Sequence, residues 1–217
     1  MRVAVHQPDL LPYSGFWFKM AQSDKFVLAV HDQFQKHGYQ RRVKMRDSWV
    51  SHQLVGKPSL VPISAVEVQP GWQDRLISAI RGRYVGAKHW KSRGEQLLEA
   101  IASCAGESLV DVNVSLIEVV RPLLDITTPL VITEPPKEKG RERVIEQCVM
   151  VGATSYLSGT GAVAYMGDDA EDRFAAAGLA LEWSDHKMST GDSIVSVLLD
   201  SDDPAADVRR AASDDDR

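Results

Sequence analysis

The sequence predicts an α/β fold of three layers, in which a mainly parallel sheet is flanked by helices within a single domain. Four short apolar runs, at 3–5, 26–30, 130–132 and 154–157, are typical of strands buried on both faces of a parallel sheet. Segments with helical apolar spacing lie between these runs, and this alternation favours helices packed over the sheet. The chain has 217 residues, 44% of them hydrophobic, and is long enough to bury one sizeable core.

Residues 3–30 are predicted to form a strand, a loop, a helix and a second strand. Pro8 stiffens the loop that follows the first apolar run. The helix is expected over about 13–22, with Ser14 as its N-cap, and the second strand over 25–30. Such a βαβ unit brings the carboxyl ends of its strands to one edge of the sheet, where ligands bind in open α/β folds.

The later elements are predicted from periodicity, chain breakers and caps. Gly178 is expected to end the last predicted helix, because glycine readily adopts the left-handed conformation at C′. The predicted helices are 72–83, 90–102, 108–124, 139–151 and 169–177. Further strands are predicted at 39–50, 60–63, 66–68, 130–132, 154–157 and 179–183, with a turn at 158–161.

Charge is distributed unevenly along the chain. Residues 200–217 contain seven Asp and three Arg, which account for −4 of the formal net charge of −5. We therefore predict a domain over 1–200 and an acidic, disordered tail over 201–217. The remaining body is nearly neutral, and this argues against general nucleic-acid binding.

The apolar segments and the cysteines indicate the compartment. No apolar run approaches the roughly 20 residues that a membrane-spanning helix needs, and the N-terminus lacks the apolar region of a signal peptide. We expect a cytoplasmic protein that does not bind membranes. Cys104 and Cys148 lie among apolar residues, so we predict buried structural thiols, with neither a disulfide nor a cysteine metal site.

The candidate catalytic residues are His6 and Asp32, each of which follows a predicted strand. A histidine can take a proton near neutral pH, so His6 is a candidate general base. Neighbouring parallel strands lie about 5 Å apart, so the Asp32 carboxylate could orient His6. The alternatives are a packed histidine that donates to a backbone carbonyl and an aspartate that caps a loop. No tight ligand motif such as HExxH is present, and no metal is predicted.

Other polar residues near these loops are candidates for substrate binding. A basic segment begins directly after the second cluster, and alternate residues of a strand there would place Arg42, Lys44 and Arg46 on one face. Cations so arranged suit a diphosphate or a phosphopantetheine arm, although a solvated strand face would look the same. The candidate substrate-binding residues on these segments are Gln7, Asp9, Tyr13, Gln33, Lys36, Arg41, Arg42 and Lys44.

The segment Ser158-Gly159-Thr160-Gly161 adds two further candidates, Ser158 and Gly159. Glycines let backbone N–H groups approach an anion closely, although the segment could equally be a plain turn. Ser158 is a poor candidate for a hydrolase nucleophile, because Tyr156 stands where GxSxG requires its first glycine.

Several of these motifs resemble the WbqC-like family. The stretch 6–34 is similar to the family's start: His-Gln-Pro after a strand, Leu-Pro-x-x-Gly-Phe, a Lys, Asp-x-Phe-Val and Gln-Phe. A second block is similar over 143–145, 152–153, 156–159 and 164–165, and a closing block over 193–195 and 198–200. The resemblance runs in colinear order over about the first 200 residues.

The resemblance implies a role in bacterial surface-polysaccharide or natural-product biosynthesis, with a suggested glycine transfer in O-antigen assembly. The expected reaction is transfer of a glycyl or other acyl group to an amino group, without a cofactor. The acceptor would be a small-molecule amine or a nucleotide sugar, and the donor a carrier-protein thioester or an aminoacyl-tRNA. Two alternatives stay open: a nucleotidyltransferase of the HIGH-motif type and a non-catalytic binding protein of the same pathway.

Overall fold

The computed structural model describes residues 1–187 and 190–211. The strands of this part are β1 Arg2–His6, β2 Lys25–Leu28, β3 Arg42–Met45, β4 Ser48–Ser51, β5 Leu130–Val131, β6 Ser155–Ser158 and β7 Ala180–Trp183. The helices are α1 Ser14–Ala21, α2 Trp72–Tyr84, α3 Glu95–Ser103, α4 Leu109–Leu123, α5 Gly140–Met150, α6 Val163–Met166, α7 Ala170–Ala176, α8 Ile194–Asp200 and α9 Pro204–Val208. Short 3-10 helices occur at Ile63–Ala65 and Thr160–Ala162, and a π-helical turn at Trp90–Gly94 leads into α3.

Five strands form one parallel sheet in the order β5-β2-β1-β6-β7. All four apolar runs that were predicted to share a sheet contribute strands to it, which confirms the predicted α/β class. The chain leaves β1 towards β2 on one side and later returns to the other side of β1 as β6. The gap between the carboxyl ends of β1 and β6 is therefore the point where the topology reverses, and such points open crevices for ligands.

Helices cover the sheet on both faces. Successive residues of a strand point to opposite faces, and apolar residues of the central strands are therefore buried on both sides. Ala4 of β1 packs into a large cluster with Phe16 and Trp17 of α1 and Leu116 of α4. Val3 and Val5 pack into a second cluster with residues of α5 and α7, among them Val144, Cys148 and Phe174. The three-layer arrangement follows from this alternation.

Three local predictions between β2 and α2 are wrong. Residues 39–50 form the separate antiparallel hairpin β3–β4 and not one strand, because Arg46 takes a left-handed turn with φ 55°. Residues 60–63 form no strand, since Leu60 has φ 57° and is 82% exposed. Residues 66–68 make only isolated bridges, to Leu54 and Ser108.

The predicted N-cap of α1 is also wrong. Tyr13 holds the extended cap position, and Ser14 is the first helical residue. The Ser14 hydroxyl is buried without a hydrogen-bond partner in the described part of the chain. Burial against the core therefore decides where this helix begins, and a capping hydrogen bond does not.

The acidic tail predicted from residue 201 is ordered through its first half. Pro204 and Val208 of α9 are buried, and Val208 belongs to the large core cluster. Arg209 donates to the carbonyl oxygens of Leu124 and Asp125 at 2.8 and 2.7 Å. The domain thus extends beyond residue 200, since apolar residues hidden in the acidic run find a place in the core. The rest of the predicted tail, 212–217, lies outside the described residues.

Helix α8, which the sequence reading left unassigned, is buried along its whole length except at Asp200. Ser193 caps it by accepting from the N–H of Val195. Across 1–187 and 190–211, no helix is both long and apolar enough to cross a membrane.

Candidate functional site

A cavity of about 350 Å³ opens at the carboxyl edge of the sheet, at the reversal point between β1 and β6. The loops after β1, β2 and β6 converge there, as the predicted βαβ geometry requires. Six of the predicted site residues line the cavity: His6, Gln7, Tyr13, Asp32, Ser158 and Gly159. Asp9 lies buried directly behind His6, with its Oδ2 atom 3.7 Å from His6 Nδ1.

His6 is the last residue of β1, and its ring packs edge-on against Phe16, with 5.1 Å between the ring centroids. Its Nδ1 lies 3.0 Å from the carbonyl oxygen of Gln7. A carbonyl can only accept, so Nδ1 carries the proton and Nε2 keeps the lone pair. Burial, together with the positive charge of Lys19, lowers the pKa of His6 from 6.5 to about 3. The imidazole is therefore neutral at pH 7.

Asp9 and Lys19 are two buried charged residues beside His6. Burial raises the pKa of Asp9 from 3.8 to about 7, although the charge of Lys19 opposes that rise. Burial lowers the pKa of Lys19 from 10.5 to about 8, and Asp9 opposes that fall. Three groups with displaced pKa values in one cavity wall are typical of acid–base sites.

Asp32 has different partners from those predicted. Arg143 Nη1 of α5 lies 2.7 Å from Asp32 Oδ1, and Gln7 Nε2 donates to Asp32 Oδ2 at 2.7 Å. Gln7 in turn accepts a short hydrogen bond from Gln40. Burial raises the pKa of Asp32, and Arg143 and Gln7 counteract the rise. Asp32 is bonded to Arg143 and Gln7, while Asp9 is the carboxyl group next to His6, so the contacts of the described residues do not include the predicted pairing of Asp32 with His6.

A buried amide holds the loop that carries these residues. Asn113 of α4 donates to the carbonyl oxygens of Pro8 and Gln40, both at 2.8 Å. Its Oδ1 lies 3.2 Å from His52 Nε2, which is the donor in this pair. Each polar atom of the Asn113 side chain thus has a partner, and the site loop is fixed from behind.

The basic segment does not reach this cavity. Lys36 and Arg41 line a second cavity of about 460 Å³, together with Gln33 and the loop 56–60. Arg42 and Lys44 lie on the hairpin, where the Arg42 guanidinium stacks 4.2 Å from the centroid of the Trp49 ring. The prediction that Arg42, Lys44 and Arg46 share one strand face is wrong for Arg46, which leaves β3 at the turn and pairs with Asp200 at 2.7 Å.

The possible nucleophiles are poorly placed. Ser158 is fully buried, and its Oγ donates to the Gly159 carbonyl at 3.4 Å. Cys148 is buried on the core side of α5, and burial raises the pKa of its thiol to about 12. Cys104 is half-buried at the end of α3, and burial raises its pKa as well. Thiols held in the protonated form are weak nucleophiles.

Sequence reasoning missed two charged residues of the cavity, Lys19 and Arg143. Lys19 stands in the run Phe16-Trp17-Phe18-Lys19-Met20, in which every residue is buried. A helix that is apolar all round is buried all round, so a lysine within it was a detectable signal. Arg143 lies in a segment that carried the family resemblance, but nothing in its spacing connected it to Asp32.

No group of three or more His, Cys, Asp or Glu side chains in the described ranges is arranged to hold a metal ion. In the comparison with known proteins, a family model described as the WbqC-like protein family matches residues 7–190 of the 217. Neither the curated proteins nor the solved structures gave a significant match.

Proposed function

The chain belongs to the WbqC-like family, and from that premise we propose that it is an acyl- or aminoacyl-transferase acting in the cytoplasm. Its acceptor would be an amino group on a sugar or another small metabolite, and glycine would be the transferred group. The observation that carries the proposal is the acid–base set at the cavity, His6 with Asp9 beside it, where the hydroxyl of Ser158 is buried.

His6 would act as the general base. Its Nδ1 proton is bonded to a carbonyl, so Nε2 is the atom that can take a proton from the attacking amine. Asp9, whose Oδ2 atom lies 3.7 Å from Nδ1, would stabilise the imidazolium by its charge when it is ionised, and its pKa of about 7 would make this support depend on pH near neutrality. This assigns to Asp9 the role that the sequence had assigned to Asp32.

Lys19 would favour the reactive form of the acceptor. Its charge lowers the pKa of His6, and it would lower the pKa of an amine bound beside it by the same Coulombic effect. The neutral amine is the nucleophile. Asp32 and Gln7 would bind polar groups of the acceptor, with Arg143 holding the Asp32 carboxylate in place.

The transfer would be direct. The amine nitrogen attacks the carbonyl carbon of the donor, the bond from that carbon to the thioester sulfur or the ribose oxygen breaks, and the amine proton passes to His6. Direct attack fits the poor placement of Ser158 and both cysteines. The donor would be a carrier-protein thioester or an aminoacyl-tRNA, and Gln33, Lys36 and Arg41 in the second cavity would bind its phosphates.

A nucleotidyltransferase is the second candidate, and the strand order favours it. The order β5-β2-β1-β6-β7 has the reversal between its third and fourth strands that characterises nucleotide-binding sheets, and the cavity lies at that reversal. In that case the product would be a nucleotide conjugate, with pyrophosphate as leaving group.

Mass spectrometry separates the candidates. The protein is incubated with glycyl thioesters or glycyl-tRNA and a panel of amino sugars, and separately with ATP and sugar phosphates while pyrophosphate is measured. A glycyl mass gain on the amine supports the transferase, and pyrophosphate release supports the alternative. Equal product from the wild type and His6→Ala would leave only a binding role for the cavity.

A further inference from the structure

Lys19 is the most unusual residue of the cavity, because it is a lysine in a buried helical run and only the charge of Asp9, with no salt bridge in the described ranges, offsets its burial. It is 5% exposed, and its Nζ makes no hydrogen bond to any residue in the described ranges. Its alkyl chain runs beside Gly159, where an added Cβ would lie 4.0 Å from Lys19 Cδ. A buried ammonium without a hydrogen-bonded partner is expensive, so a group that comes from outside the chain would explain why it is kept.

Arg143 brings a second cation with an unused hydrogen-bond donor to the same cavity, from the opposite face of the sheet. Lys19 belongs to α1, which packs on the Ala4 face, and Arg143 belongs to α5, which packs on the Val3 face. The ion pair with Asp32 occupies Arg143 Nη1, while Arg143 Nε is buried and has no hydrogen-bond partner within the described residues. The guanidinium therefore retains an N–H that a ligand could use.

We propose that Lys19 and Arg143 form a two-cation seat for an oxyanion, which is the carboxylate or phosphate group of the bound substrate. Two donors that approach from opposite walls would hold such a group by charge-assisted hydrogen bonds. The neighbouring carboxylate of Asp32 does not fill the seat, because it is already bonded to Arg143 Nη1 and Gln7. The inference does not depend on the proposed reaction, since an anion would bind there whether or not a group is transferred.

Binding of inorganic anions to the full chain tests the seat without any turnover. Isothermal titration calorimetry would be run with inorganic phosphate, with pyrophosphate and with acetate, at constant ionic strength. Saturable binding of a phosphate species alone identifies a phosphate as the natural ligand group, and saturable binding of acetate alone identifies a carboxylate. Either result supports the seat, and the absence of saturable binding by all three anions overturns it.

Variants locate the binding. Lys19→Met and Arg143→Gln should each weaken the anion about 10- to 100-fold, as expected for the loss of one charge-assisted contact. Lys19→Arg keeps the charge and should retain most of the affinity. Lys88→Met, which removes an exposed lysine paired with Asp202 and lies outside both cavities, is the matched control and should bind as the wild type does. A loss with Lys88→Met, or unchanged affinity with Lys19→Met, overturns the proposal.

Thermal unfolding of the same variants separates a binding role from a structural one. Lys19→Met removes a buried charge and keeps the aliphatic chain, and the Asp9 carboxyl group, whose pKa is about 7 even beside Lys19, can then take a proton. The melting temperature of Lys19→Met at pH 7 should therefore equal or exceed that of the wild type. If Lys19 had a structural role, the melting temperature of Lys19→Met would fall below that of the wild type. A Lys19→Met protein that unfolds at a markedly lower temperature, with anion affinity retained by the folded fraction, would end the assignment.

Discussion

His6 and His52 are both largely buried histidines, and their surroundings differ. Burial lowers the pKa of both, to about 3 for His6 and about 4 for His52. His52 bonds to Asn113, whose amide is in turn fully bonded to two carbonyl groups. His6 faces an open cavity beside Lys19, whose Nζ makes no hydrogen bond to the described residues. A displaced pKa is thus shared by the two histidines, whereas incomplete bonding distinguishes the surroundings of His6, at Arg143 Nε, from those of His52.

The comparison shows how a structural histidine can be told from a candidate catalytic one. Buried polar groups are normally paired, because an unpaired group costs the free energy of its desolvation. The region around His52 obeys this rule and supports the loop from behind. The region around His6 departs from this rule at Arg143 Nε, which is buried and has no hydrogen-bond partner in the described residues. Departures of this kind are expected where a ligand completes the bonding.

The largest expected effect is on catalysis at His6. His6→Ala should lower the rate of transfer by about 10²- to 10⁴-fold, which is the usual contribution of a positioned base. The free energy of unfolding should change little, since the ring lies at the edge of the core. Steady-state kinetics and urea denaturation of the same preparation measure both quantities. His89→Ala, which removes a histidine paired with Asp202 on the surface, is the control. A folded His6→Ala enzyme of full activity would contradict the base assignment.

The next prediction concerns the hydrogen bonds around His52 and their contribution to stability. Asn113→Leu should lower the free energy of unfolding by about 2–4 kcal/mol, because it leaves buried carbonyl groups of Pro8 and Gln40 without donors. Ser115→Ala in the same helix removes one exposed hydrogen bond and should cost about 1 kcal/mol or less. Chemical denaturation measures both. Equal losses in the two variants would show that the Asn113 network does not support the loop.

Asp9 should be visible in the pH dependence of stability. The folded-state pKa values of His6 and His52 lie below 6.5, so the folded chain binds fewer protons and stability falls as the pH drops from about 6.5 towards 4. The pKa of Asp9 is raised to about 7, so Asp9 has the opposite effect over the same window.

Asp9→Asn removes that opposing contribution. The fall in stability below pH 6.5 should become steeper, by up to about 1.4 kcal/mol per pH unit. Urea denaturation across this pH range measures the slope, with Asp47→Asn at the exposed hairpin turn as the control. An unchanged slope in Asp9→Asn would mean that Asp9 is not protonated in the folded state near neutral pH.

The smallest effect is expected on the hairpin. Arg42 stacks on Trp49 outside the cavity, so Arg42→Ala should cost about 0.5–1 kcal/mol of stability and leave the turnover number nearly unchanged. Denaturation and steady-state kinetics check this. An increase in the Michaelis constant alone would indicate a phosphate contact to the donor, and a large fall in turnover would place Arg42 in the reaction.

The parts of the fold that depend on local patterns were predictable. The apolar strands and the polar residues after them placed His6, Asp32 and Ser158 at one edge of one sheet, because parallel strands end on the same side. The partners of these residues were not predictable. Arg143 reaches Asp32 from a helix more than a hundred positions away, and Val208 enters the core from an acidic segment whose composition indicated disorder. Such pairings are decided by tertiary packing, which local patterns do not encode.

The central claim is that an anion binds in the cavity beside His6 and not near His52, and ligand-induced changes at the two histidines test it most directly. The imidazole signals of His6 and His52 can be observed by ¹⁵N NMR and assigned with His6→Gln and His52→Gln. Titration with pyrophosphate and, separately, with acetate should move the His6 signals saturably with at least one of the two anions, because the cavity beside Lys19 receives it, and should leave the His52 signals in place. Movement of the His52 signals alone, or of neither pair, would contradict the account.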